Sequence, residues 1–341
     1  MAAELLEFDW DVSPSGYRWV EATFVPDEPY GTGTLAPMTD TPAPKPALVW
    51  AGPEVFGPTP PHPHPEPALF RLFAEVNPNK ESILAFANRY GDLGIAVKLH
   101  LAIRDPDAGP GPARGTFLVV WQNQIADMQR LAGLWDLLLA GDRERLAQHI
   151  EWTRGGPEGL AVHFDSNPTA GTGRGPSLGS DRVRVLIASR QTGPELLEQW
   201  DVDDPVGPAW VYLQWAIDEH LRHLASEVPT SMVWDPRAKR PVLRLLAPTL
   251  ASAVWLQFAE AISTSRTFSR CRECQKWFPV GPELARSNRR FCSNACRSKA
   301  YRERQDRARR LRTEGKSFEE IAVELESDVA TVRGWITGLK E

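Results

Sequence analysis

All four cysteines of this 341-residue chain fall in one stretch, as Cys271-Arg-Glu-Cys274 and, after 17 intervening residues, Cys292-Ser-Asn-Ala-Cys296. Two closely spaced thiol pairs separated by a loop make a closed tetrahedral structural Zn²⁺ site. No coordination position is left open for water, so the metal is structural and not catalytic. One zinc per chain is expected, held by Cys271, Cys274, Cys292 and Cys296. The local signals predict a treble-clef finger over 266–304. A C-x2-C knuckle is followed by a strand at 276–280 that pairs with Arg289-Arg290-Phe291. Ser293 then caps a helix whose first turn carries Cys296, where the helix dipole favours a thiolate.

Charge sharpens this picture. The chain as a whole is net −5, yet residues 266–312 hold 15 Lys and Arg against 4 Asp and Glu. An acidic chain with one sharply basic segment suggests that this segment meets a polyanion. The helix after Cys296 carries eight cations and two acids over 297–312. Phosphate contact is the natural use of such a helix, with Arg289, Arg290, Arg297, Lys299, Arg302, Arg309 and Arg310 as the contacting residues.

Beyond it, Gly315 ends the basic helix and Ser317 to Glu320 spells a capping box, S-x-x-E. Ile321, Ala322 and Leu325 give the next helix an apolar face. After a turn at 326–328, Val332, Trp335 and Ile336 do the same for a last helix. A helix-turn-helix is predicted over 305–341, completed by the end of the basic helix. Its second helix would present Thr331, Arg333 and Thr337 outward. This segment, 313–341, has 7 acids against 3 cations, so docking or dimerisation stands beside base reading.

Residues 1–265 read as an α+β, mostly helical body. A hairpin is expected at its start, with strands at 7–12 and 17–24 around Ser13-Pro14-Ser15-Gly16. Thirteen prolines over 26–67 exclude a helix or central strand there, apart from a short strand at 47–50. Helical periodicity covers 67–76, 77–90, 116–140, 142–150, 205–227 and 248–263; strands fall at 160–164 and 183–188, and 234 pairs with 242–246. Trp121, Trp135, Trp210, Trp215 and Trp255 lie within helical patterns and are expected in the core. The helix at 248–263 is expected to dock the finger.

No enzyme is read here. Glu219-His220-Leu-Arg-His223 lacks a third metal ligand. His62 and His64 lie in the proline run. The glycines at 171–175 have no G-K-[ST] after them. There is no nucleophile elbow and no H-E-x-x-H. No apolar stretch reaches the length of a membrane span, and the first residues lack the basic and apolar regions of a secretory signal. A cytoplasmic protein is expected.

Residues 271–304 resemble the CGNR-type zinc fingers of bacterial transcription regulators. The shared features are the first C-x2-C, Trp277-Phe278, Arg289-Arg290-Phe291-Cys292-Ser293, and Cys296-Arg297 leading into Lys299-Ala300-Tyr301-Arg302. After Cys296 the chain reads Arg-Ser-Lys where that family reads Gly-Asn-Arg, so a treble clef of another kind is the alternative. Residues 311–339 are similar to the homeodomain-like helix-turn-helix of recombinases and sigma-type factors. The resemblance implies DNA binding and covers none of residues 1–265. The expectation for the whole chain is a bacterial-type transcription regulator whose body, 1–265, senses a small ligand or mediates assembly, a homodimer included. The competing expectation is a scaffold whose finger binds protein partners or RNA.

Overall fold

β1 (Leu6–Phe8) and β2 (Tyr17–Pro26) are both strands, but they do not form the predicted hairpin. The computed structural model describes residues 6–8, 10, 12–13, 15–26, 45–50, 66–95, 101–104, 115–154, 159–165, 184–224, 230–235, 240–281 and 289–337. In it β1 runs parallel to β10 (Arg240–Ala247), with Phe8 opposite Ala247, and β10 pairs with β9 (Thr230–Asp235). The turn before β2 is real: Gly16 N–H donates to Ser13 O, with φ at +76°. It is tied elsewhere, because Tyr17 N–H donates to Asn88 Oδ1 and the Tyr17 hydroxyl accepts from Ser13 N–H and Asp92 N–H. Buried Trp10, whose indole donates to Tyr90 O, is spent on the same helix. Local turn chemistry sets where the chain bends; which strand it then meets is decided by distant contacts.

β2 pairs instead with β3 (Lys45–Trp50) and β4 (Leu101–Arg104), and β3 with β5 (Gly115–Phe117), giving the order β4-β2-β3-β5. β3 is thus an inner strand that carries a proline. Pro46 is tolerated because β5 pairs only with residues 47–49, so no ladder bond is asked of it on that side. Gly115 is required here: a Cβ would lie 1.9 Å from Leu48 O.

The body core is aromatic. α1 (Leu69–Ala74), α3 (Leu118–Ala140) and α7 (Leu250–Ser263) contribute Phe70, Phe73, Trp121, Trp135, Trp255 and Phe258, all fully buried, and α2 (Lys80–Tyr90) adds Phe86 against Phe73. Phe70 meets Phe258 at 5.1 Å and Trp135 at 6.0 Å between ring centroids. α7 is therefore a core helix of the first unit. Its Gln257 also closes the start of α1, accepting from Phe70 N–H and donating to Glu66 O. Half-exposed Asp136 grips buried Arg71 through two 2.6 Å bonds, and the guanidinium lies over Phe70 and Trp135.

α4 (Arg143–His149) leads into a three-stranded antiparallel sheet of β6 (Ile150–Arg154), β7 (Leu160–Asp165) and β8 (Arg184–Ser189). After the short α5 (Pro194–Leu197), α6 (Val206–Leu224) follows. It buries Ala209, Tyr212, Leu213 and Ile217, with Tyr212 stacked 3.6 Å from Phe164. Trp210 and Trp215 lie off that stripe and are 37% and 39% exposed, against the expectation that they were core. Trp121, Trp135 and Trp255 are as expected. His220 stacks on Trp255 at 3.6 Å and lies 3.5 Å from Asp127. The His223 side chain, His62, His64 and the glycines at 171–175 lie outside the described residues. Among the described residues no helix is long and apolar enough to cross a membrane.

The chain divides into two units at 262/263, and the cysteines fall in the second. That unit consists of β11 (Thr267–Arg270), β12 (Trp277–Val280), α8 (Asn294–Thr313), α9 (Phe318–Glu324) and α10 (Val329–Thr337). Ala308 and Leu311 of α8 pack with Ile321, Ala322, Leu325, Val332 and Trp335 into one small core. The capping box forms as expected, Ser317 and Glu320 exchanging their bonds. α9 ends in a turn in which Ser327 N–H reaches Ala322 O and Glu326 takes a φ of +49°. Such a left-handed residue after a helix satisfies its last carbonyls.

Candidate metal centre and arginine cleft

The knuckle is the turn of a hairpin, and that hairpin differs from the expected one. β11 pairs antiparallel with β12, Arg270 opposite Trp277, so the strand at 277–280 pairs with residues before the first cysteine. Arg289-Arg290-Phe291 is not a strand; it passes beside the knuckle, where Arg272 N–H donates to Arg290 O at 3.0 Å. Within the turn, Cys271 N–H donates to Lys276 O and Gln275 N–H to Cys271 O, both at 2.9 Å, with Gln275 at φ +59°. Ser293 caps α8, its hydroxyl accepting from Cys296 N–H, so Cys296 sits in the first turn as expected.

The four sulfurs lie within 4.8 Å of one another. Cys292 Sγ is 3.5 Å from both Cys274 Sγ and Cys296 Sγ. A disulfide would need about 2.05 Å. Tetrahedral thiolates around an ion with bonds of about 2.3 Å stand about 3.8 Å apart. The donor set therefore fits one four-thiolate metal ion. Burial works against ionising Cys271, yet hydrogen bonds from the backbone of Cys274, Cys292 and Glu273 outweigh it and lower the thiol to about 6. Burial, then the neighbouring sulfurs of Cys274, Cys296 and Cys271, push Cys292 up to about 12.

Beside this centre lies a cleft of about 690 Å³, lined by Arg272 of the knuckle, Arg290 and Phe291 before Cys292, and Arg297, Ala300, Tyr301, Glu303, Arg304, Arg307 and Arg310 of α8. Among the described residues, six guanidiniums face one carboxylate. Arg297 is bonded to Asn294, Arg304 to Leu325 O and Arg307 to Glu324.

The cations singled out in the sequence divide into groups. Arg290, Arg297 and Arg310 line the cleft. Arg302 and Arg309 are exposed, with Arg309 paired to Asp306, but neither lines it. Arg289 braces the loop: it donates to the carbonyls of Phe291 and Cys292 and lies over Phe278. Lys299 pairs with Glu273 at 2.7 Å and Glu303 at 3.6 Å, which raise its pKa. On α10 the Thr331 hydroxyl donates to Asp328 Oδ2 at 2.7 Å, while the Arg333 guanidinium lies 5.4 Å from the Phe318 ring, which Arg312 also faces. Arg272, Arg304 and Arg307 were not picked out from the sequence. A 300, 303, 307, 310 stripe on one flank of α8 was the signal for part of the cleft, whereas Arg272 needed the fold.

Comparison with family models, with curated proteins and with solved structures finds no match to this chain.

Proposed function

We propose that the second unit is a zinc-stabilised nucleic-acid-binding module of treble-clef and helix-turn-helix type. The whole chain is then a DNA-binding regulator whose first unit senses a small ligand or mediates assembly. Zinc is the ion that suits four thiolates in tetrahedral array. The observation that carries the reading is the cleft, where six arginines and one acid converge among the described residues. Phosphate contacts position such a protein on its target. On α10, Arg333 is the exposed cation, while Thr331 is engaged by its own cap.

The test is binding of the intact chain to mixed-sequence DNA across salt. Affinity should fall steeply between about 50 and 200 mM. Replacing Arg290, Arg297 and Arg310 by Gln should flatten the salt slope by up to about 3 units. A flat salt response, unaltered in the triple variant, would replace this reading with a protein-partner scaffold. The outer side of α9 and the turn after it favour that second reading for the terminal helices alone, because Glu319, Glu320, Glu324, Glu326 and Asp328 are all exposed there.

A further inference from the structure

The cleft is concave and contains two aromatic rings, and both features bear on what kind of strand fits it. Phe291 is half-buried in its wall, and Tyr301 lies 49% exposed in its lining. Duplex DNA offers a convex, regularly charged surface with its bases stacked inside. A cationic groove set with aromatic rings instead suits an unpaired strand, whose phosphates track the cations while its bases stack on the rings.

We infer that this cleft takes a single-stranded segment of nucleic acid, with one or two bases seated on Tyr301 and Phe291 and the adjoining phosphates on Arg272, Arg290 and Arg310. These three guanidiniums make no side-chain hydrogen bond or ion pair among the described residues, so they are free to receive an anion from outside. The Tyr301 ring is held for stacking. It packs edge-to-face on Trp335 at 5.7 Å, and its hydroxyl accepts from the Trp335 indole. The inference rests on the nucleic-acid reading and narrows it to strand type.

The experiment uses the zinc-loaded full chain and a labelled 15-nucleotide single strand without self-complementarity. The same sequence as a duplex and a free nucleoside triphosphate serve as competitors. The single strand should bind more tightly than the duplex. Tyr301→Leu and Phe291→Leu should each reduce that preference about tenfold, since ring stacking acts on unpaired bases alone. Phe291→Leu keeps the question open to test should Tyr301→Leu disturb the helical core through Trp335. A duplex preference, or a single-strand preference unchanged in both variants, overturns the inference while leaving nucleic-acid binding standing. Displacement of the strand by micromolar triphosphate would overturn it in favour of a free nucleotide. If neither strand nor duplex binds, the nucleic-acid reading itself falls.

Discussion

The indole N–H of Trp335, on the last helix, donates to the hydroxyl of Tyr301, seven residues into the basic helix, at 2.9 Å. The two rings meet at 85°. Trp335 is nearly buried in the core of the three terminal helices. Its bond ties that core to the cleft wall near the cysteines. Trp335→Ala should cost about 3–5 kcal/mol, enough to open so small a bundle. Tyr301→Phe should cost about 0.5–1.5 kcal/mol by removing a part-buried hydrogen bond. Hydrogen exchange at the amides of α9 and α10 measures both, and wild-type protection in Tyr301→Phe would mean that the bond contributes nothing.

Metal analysis of the purified chain should find one zinc, and Cys292→Ala should lose most of it. A chelator should release exchange protection across β11, β12 and the start of α8 together, because the ion is the cross-link that joins the knuckle to the first turn of that helix. Full zinc content in Cys292→Ala would exclude that sulfur as a ligand.

Gln275 and Glu326 hold left-handed backbone, at φ +59° and +49°. A side chain there costs about 1 kcal/mol or more, which glycine avoids. Gln275→Gly and Glu326→Gly should each stabilise the second unit by about 0.5–1 kcal/mol. A loss of stability would show that the entropy glycine adds to the unfolded chain outweighs the relief.

In the first unit Asp92 accepts from Thr116 Oγ1 at 2.7 Å and Gly94 N–H at 3.0 Å, while its other carboxylate oxygen is buried without a hydrogen bond. Burial raises its pKa above the ordinary 3.8, with those hydrogen bonds opposing. A carboxyl raised in the folded state contributes stability that is full below its ordinary value and is lost as the pH climbs through the raised one. Wild-type stability relative to Asp92→Asn should therefore decline as the pH rises from about 4 toward neutrality. Chemical denaturation at several pH values measures it, and a constant difference would refute the shift.

What the sequence disclosed was what lies close along the chain. The cysteine spacing, the Ser293 cap and the Ser317–Glu320 box each act over a few residues, and each formed where its pattern stands. Partners far apart were not legible. The pattern of β1 says strand, but nothing in residues 6–8 names β10, more than 200 residues away, as its neighbour. Trp210 and Trp215 share the helical run of their neighbours, and only the packing of α6 sets which side of it is wet. The cleft was half visible for the same reason: the stripe on α8 is local, whereas Arg272 and Arg290 reach it through the fold of the knuckle.

α8 runs unbroken from its Ser293 cap to Thr313, a shaft about 30 Å long at 1.5 Å per residue. Cys296 fixes one end, and Leu311 is embedded near the other. With an ion in place, the arginines between them would have their rotational phase set twice, by coordination at the head and by oily packing at the tail. Two of the guanidiniums opposite them, on Arg272 and Arg290, are held in place by the loops that the sulfurs gather. Withdrawing the ion would therefore do more than melt a finger: it would remove one bank of the channel and leave the other standing, turning a concave receptor into a bare cationic rod. Metal supply would thereby govern the shape of what this protein can grasp, not merely how long it lasts.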